Sequence, residues 1–267
     1  MRSTDKYQLK LITMALSLTC GYAGQAHAIA ADYVPIPSGV LSSVLSGGSN
    51  KNADVRIAEF SLRSEPVTVA EFARFTELHP EWQRNQIPSI FADASYLQQL
   101  GNSIQLSTSA QHAITNVSWF AAQAYCESES ARLPTWYEWE YVAAADAHQA
   151  DARKNAAWRA KILGWYSQPS STAQYNIGGE LNFYGVRDMH GLIWEWVDDF
   201  NALLVSADSR NQGDPEQLQY CGAGAISLQD RENFAILMRV ALLSSLNGAD
   251  TTKNLGFRCA KNTLKGK

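Results

Sequence analysis

Beyond Gly164 the chain sustains almost no helical or strand period, yet it places Trp194, Trp196 and Arg258 in short motifs. Short apolar runs lie among Gly, Asn, Ser and Asp, with one helical stretch near Glu232 to Met238. No internal repeat of solenoid period is visible. Such a segment must bury its area through ordered loops and short strands, and large side chains have to supply the core. A tryptophan or other large aromatic contributes about 150–250 Å² when buried. Trp136, Trp139, Trp194 and Trp196 sit in two short segments, with Arg132 and Arg258 in similar ones. An arginine carries five donors and can satisfy several loop carbonyls. The first expectation for all six residues is scaffold.

The front half has clearer helix signals. Thr68-Val69-Ala70-Glu71 is a capping box, and Phe72, Phe75 and Leu78 follow as an apolar stripe. Ser118 caps a second helix with Trp119, Ala122 and Tyr125 or Cys126 on its inner face. Thr135 to Glu138 is another capping box, continued by Trp139 and Val142. His148 to Lys161 reads as an exposed helix, and Arg56 to Leu62 as a strand. Residues 79–115 are irregular and hold Pro80 and Pro88. Helices early and irregular strands late predict an α+β domain.

The N-terminus reads as an export signal: Arg2, Lys6 and Lys10, a short apolar core, then Ala26-His27-Ala28 as a cleavage site. The apolar core is roughly half of the ~20 residues that a spanning helix needs. The expected division is a signal peptide over 1–28, an extended leader over 29–55, one domain over 56–260 and a basic tail over 261–267. A formal charge of −4 gives no reason to expect a nucleic-acid partner. Cleavage leaves Cys126, Cys221 and Cys259. In an oxidising compartment that odd number implies one bridge and one free thiol.

Four segments, in order, carry a family resemblance. They are Glu65-Pro66-Val67-Thr68 with Phe72 and Phe75, then Val117-Ser118-Trp119 through Cys126 and on to Arg132-Leu133-Pro134-Thr135 and Glu138-Trp139-Glu140-Tyr141. Tyr184 to Gly191 running into Trp194-Glu195-Trp196 is the third, and Asn254-Leu255-Gly256-Phe257-Arg258-Cys259 the fourth. Together they resemble the formylglycine-generating enzyme, or sulfatase-modifying factor, family over residues 56 to 260. The resemblance implies an irregular, loop-rich, C-type-lectin-like α+β fold. It implies a Cys126–Cys259 disulfide, and a structural calcium site at Asp188, Gly191, Ile193 and Glu195. Leu192 stands where the family usually has Asn. Asn176-Ile177 matches the start of a second calcium site, without its acidic partner.

The same resemblance says what chemistry to expect. Copper in this family is held by two cysteines placed ahead of the Gly-Phe-Arg segment, and thiolates in pairs suit Cu(I). No cysteine lies between Gly222 and Arg258. His79, His112, His148 and His190 lack the spacing of the family's iron branch. The stretch around Cys221 and Met238-Arg239 looks most like the pyoverdine-maturation (PvdO-like) branch or nitrite-reductase-associated relatives. The expected function is an exported, oxidative maturation factor for a peptide-derived substrate. Its alternative is a non-catalytic periplasmic accessory protein for a client such as a copper enzyme. Glu232, Arg239 and Cys221 are the candidate catalytic or contact residues, in a cleft near 221 to 246.

Overall fold

Short antiparallel strands bring widely separated parts of the chain together. In the computed structural model, which describes residues 32–43, 53–98, 110–167, 175–202 and 234–263, β1 (Tyr33–Ile36) and β7 (Ala260–Asn262) flank β4 (Phe60–Arg63). Tyr33 faces Arg63 on one side of β4, and Ala260 faces Leu62 on the other. Alternation buries Phe60 and Leu62, and Ile36 opposite Phe60 is buried with them. A second pair, β2 (Gly39–Ser43) and β3 (Ala53–Ile57), is antiparallel and turns Leu41 and Ile57 inward.

These strands revise the expected divisions. The predicted leader holds β1 and β2, so it belongs to the folded unit, which begins at Ala31. The single strand expected over Arg56 to Leu62 breaks at the exposed Ala58-Glu59, and its halves enter different sheets. Lys261, expected in a solvated tail, lies in β7 with its ammonium 4.0 Å from the centre of the Tyr33 ring.

The capped helices form as their sequences predict. α1 (Val69–Leu78) starts at the Thr68 capping box, with Glu71 reaching back to the Thr68 amide at 2.8 Å. Phe72 and Phe75 are buried, whereas Leu78 is 69% exposed and lies off the inner stripe. α2 (Trp119–Ser128) is capped by Ser118, and α3 (Trp136–Ala143) by the Thr135–Glu138 box. α4 (Ala156–Tyr166) begins eight residues after the predicted start at His148, because Asn155 caps it and turns precede it. It buries Ile162. α5 (Phe234–Ser244) runs one and a half turns past the predicted helix, since its apolar face continues through Val240 and Leu243.

Near the core, β5 (Trp194–Glu195) and β6 (Leu255–Gly256) pair in parallel. Gly256 allows this: a β-carbon there would stand 2.1 Å from the Ile114 carbonyl oxygen. Cys126 of α2 is bonded to Cys259, which lies 133 residues on, with their α-carbons 5.5 Å apart. Among the described residues, no helix is long and apolar enough to cross a membrane.

Candidate functional site

Two polar arrangements stand out inside an otherwise apolar core. The first is centred on Arg258, which is fully buried, and Glu195, which is 4% exposed. Arg258 donates through Nε to Glu195 Oε2 and through a terminal nitrogen to Oε1, both at 2.8 Å. Its remaining donors reach the carbonyls of Arg63, Ser64 and Arg187 at 3.1 to 3.4 Å. Trp139 adds its indole N–H to Glu195 Oε2 at 2.7 Å. A forked, bidentate pair of this kind fixes orientation as well as charge. It ties β5, β6, α3 and the chain around Arg63 to one point.

That pair bears on the expected calcium site. Asp188 sits at φ 60°, and its carboxylate accepts the amides of Gly178 and Gly179 at 3.0 Å each. Gly191, at φ +87°, packs under Trp165, where a β-carbon would meet the indole at 2.5 Å. Calcium takes six to eight oxygens with carboxylate charge among them. Both Glu195 oxygens accept from Arg258, and Oε2 also from Trp139, so a calcium ion held by Asp188, Gly191, Ile193 and Glu195 would share the Glu195 carboxylate with a guanidinium. Among the described residues no three His, Cys, Asp or Glu side chains are grouped together.

The second arrangement is a cleft between α3, α4 and α5. Arg239, expected to line such a cleft, is there and is 5% exposed. Its Nε donates to Glu140 Oε1 at 2.8 Å, a terminal nitrogen contacts the same oxygen, and the other reaches Tyr166 Oη at 2.7 Å. Its guanidinium carbon lies 4.8 Å from the centre of the Trp139 ring, within cation–π range. Cys221 and Glu232 lie outside the described residues.

His190 forms another wall of the cleft. Its ring is stacked on Trp165 and met edge-on by Trp139 and Trp158. Nε2 lies 2.7 Å from the Ala143 carbonyl oxygen, whereas Nδ1 is enclosed and has no partner among the described residues. Burial first, and then the nearby Arg239 charge, push its pKa down to about 3. The free volume is about 20 Å³, enough for one or two waters.

The profile of the Sulfatase-modifying factor enzyme 1-like domain matches residues 22–263. The chain belongs to this family. It is 30% identical to a formylglycine-generating enzyme of Streptomyces coelicolor over 171 residues, covering 56% of this chain and 52% of that protein. It is 25% identical to the serine/threonine-protein kinase pkn1 of Chlamydia pneumoniae over 217 residues, 78% of this chain and 34% of the kinase. A third relative, hercynine oxygenase of Mycolicibacterium smegmatis, is 34% identical over 92 residues, covering 32% of this chain and 21% of the oxygenase. The chain thus spans between about a third and a half of the length of the first two relatives.

Within this member of the family, the motif residues divide between the two arrangements. Trp136, Trp139 and Trp196 are buried, and Trp196 donates its indole N–H to the Val117 carbonyl at 2.9 Å. Arg132 pairs with Glu138 at 2.6 Å and reaches Asn262. Glu140 and His190 belong to the cleft, and sequence reasoning singled out neither. A signal for Glu140 existed: Trp136, Trp139, Glu140 and Ala143 share one helix face, so a carboxylate sits on a buried stripe and needs a cation. His190 had no comparable signal, because its unpaired nitrogen depends on contacts with α4.

Proposed function

We propose that this sulfatase-modifying-factor protein is an exported, oxidative maturation factor for a peptide-derived or small aromatic substrate, of the PvdO-like kind. The cleft between α3, α4 and α5 is its substrate site. The names of two relatives, a formylglycine-generating enzyme and a hercynine oxygenase, support oxidative modification as the reaction type. The observation that carries the reading is the disulfide. It consumes Cys126 and Cys259, and Cys20 lies in the export signal. Cys221 alone then remains where a linear copper site needs two thiolates. Formylglycine formation by a two-cysteine copper site is therefore not the expected activity. A disulfide also suits an oxidising, periplasmic location. The loop-rich architecture supports the lectin-like reading of the fold.

The test compares periplasmic extracts from cells with and without the protein by mass spectrometry. The expected result is a precursor two hydrogens heavier that accumulates without the protein and, when purified chain is added, passes two electrons and two protons to oxygen, which leaves as hydrogen peroxide. A cysteine peptide turned into formylglycine would overturn the reading, as would the absence of any convertible precursor.

A second reading, a non-catalytic accessory protein for a periplasmic client such as a copper enzyme, is favoured by one observation. In the cleft, Glu140, Arg239 and Tyr166 satisfy one another and leave none of the three poised to move a proton. Co-purification of an intact client without any change in its mass would support it.

A further inference from the structure

We propose that α4 is a lid on the substrate cleft, hinged at Lys154-Asn155 and latched where Arg239 holds Tyr166. The inference rests on reading the cleft as the substrate site, and it adds how that site opens. Size is the starting point. The cleft has about 20 Å³ free, room for one or two waters and for no aromatic ring or peptide side chain. A substrate of either kind enters only if a wall moves.

The three walls differ in how firmly they are held. α3 buries Trp136, Trp139, Glu140, Val142 and Ala143. α5 buries Ala235, Ile236, Arg239, Val240 and Leu243. α4, with 11 residues, buries Ile162 alone, yet it gives Trp158, Arg159, Ile162 and Leu163 to the cleft wall. An element with so few buried side chains opens at lower free energy than the molecule as a whole. The chain before it is pinned: the Ala152 amide donates to the Ala144 carbonyl at 2.7 Å, and Arg153 donates to Asp151 and to the Ser42 carbonyl. Lys154 and Asn155 follow and are exposed, so the chain can swing there. At the far end, Arg239 donates to Tyr166 Oη at 2.7 Å, which joins α4 to α5. Trp165, beside it, covers Gly191 and the His190 ring, yet is itself 36% exposed. Lifting this end breaks the Tyr166 hydrogen bond and parts Tyr166 from Trp194 and Trp165 from His190. It uncovers Ala143, Ile236 and Arg239 together.

The test reads opening in the exported chain without any substrate. In a Cys221→Ser background, one thiol is placed by Ile162→Cys in α4, Val142→Cys in α3 or Val240→Cys in α5, all buried positions. Cys126 and Cys259 are bonded and stay silent. The Ile162→Cys thiol is expected to react with a thiol reagent roughly a hundredfold faster than the other two. Adding Tyr166→Phe should quicken that reaction about tenfold and leave the others unchanged. One common rate for the three thiols overturns the lid, and a Tyr166→Phe effect shared by all three overturns the latch. Hydrogen exchange of the unaltered chain decides the matter even if a variant fails to fold. Amides of residues 160–166 should exchange well ahead of those of 140–143 and 238–244, and equal protection overturns the proposal. A fast Ile162→Cys thiol with no convertible precursor would sink the maturation role and leave the lid standing. Conversion of a precursor with a single common labelling rate would do the reverse.

Discussion

The Arg258–Glu195 centre and the α3–α4–α5 cleft are built from the same materials and differ in how completely they are satisfied. Each has one buried arginine, one buried glutamate and an indole of Trp139. At the centre each of these polar groups has a partner, and three backbone carbonyls complete the guanidinium. The cleft keeps room for one or two waters, and the Nδ1 of His190, one of its wall residues, has no partner among the described residues. A centre closed in this way specifies the fold. A cleft that keeps room for water constrains it less. The difference teaches that a buried ion pair alone marks neither catalysis nor scaffold, and that the unpaired atom next to it is the more informative sign.

The comparison breaks most easily at its strongest point. Arg258→Met leaves Glu195 charged, buried and unpaired, and should cost about 3–5 kcal/mol in denaturant unfolding. Arg239→Met should cost less, because Glu140 lines a cleft that admits water. If the two variants lose equal stability, the cleft is as closed as the centre and the distinction falls. Adding Glu195→Gln to Arg258→Met should recover part of the loss.

A smaller effect is expected from acid. The folded pKa of His190, about 3, lies below its unfolded value of roughly 6.5. Below that value the unfolded chain takes up a proton that the folded chain refuses, so stability falls as the pH drops. Between pH 7 and pH 5 this one residue should account for about 2 kcal/mol, a loss that His190→Phe removes from the pH profile. A profile unchanged by that substitution would place the ring in water. The smallest expected effect is none at all. Calcium chelation should leave the melting temperature where it was, because Arg258 already provides the positive charge at Glu195. A fall on chelation would return the cation to the loop around Asp188.

Local signals were legible and long-range ones were not. Both capping boxes, the Ser118 cap and the buried Phe72 and Phe75 follow from side chains within four residues of each other. The family motifs foretold the Cys126–Cys259 bond. The role of β1 could not be read, because a four-residue strand gains its identity only from Leu62 and its neighbours across the sheet. The ion pair at Glu195 could not be read for the same reason: its partner Arg258 is 63 residues away. Arg239 was expected to line a cleft as a candidate contact residue, and it does line one. Its true partner, Glu140, lies 99 residues earlier.

The order of the three-stranded sheet has a consequence for biogenesis. β4, made early, is incomplete on one edge until β7 arrives, and Arg258, Cys259 and Ala260 arrive with it. A nascent chain stopped before Arg258 would present an open strand edge, a lone thiol at Cys126 and an isolated carboxylate at Glu195. Such a fragment would be recognisable to proteases and chaperones, so completion of synthesis doubles as an inspection step before the molecule can settle.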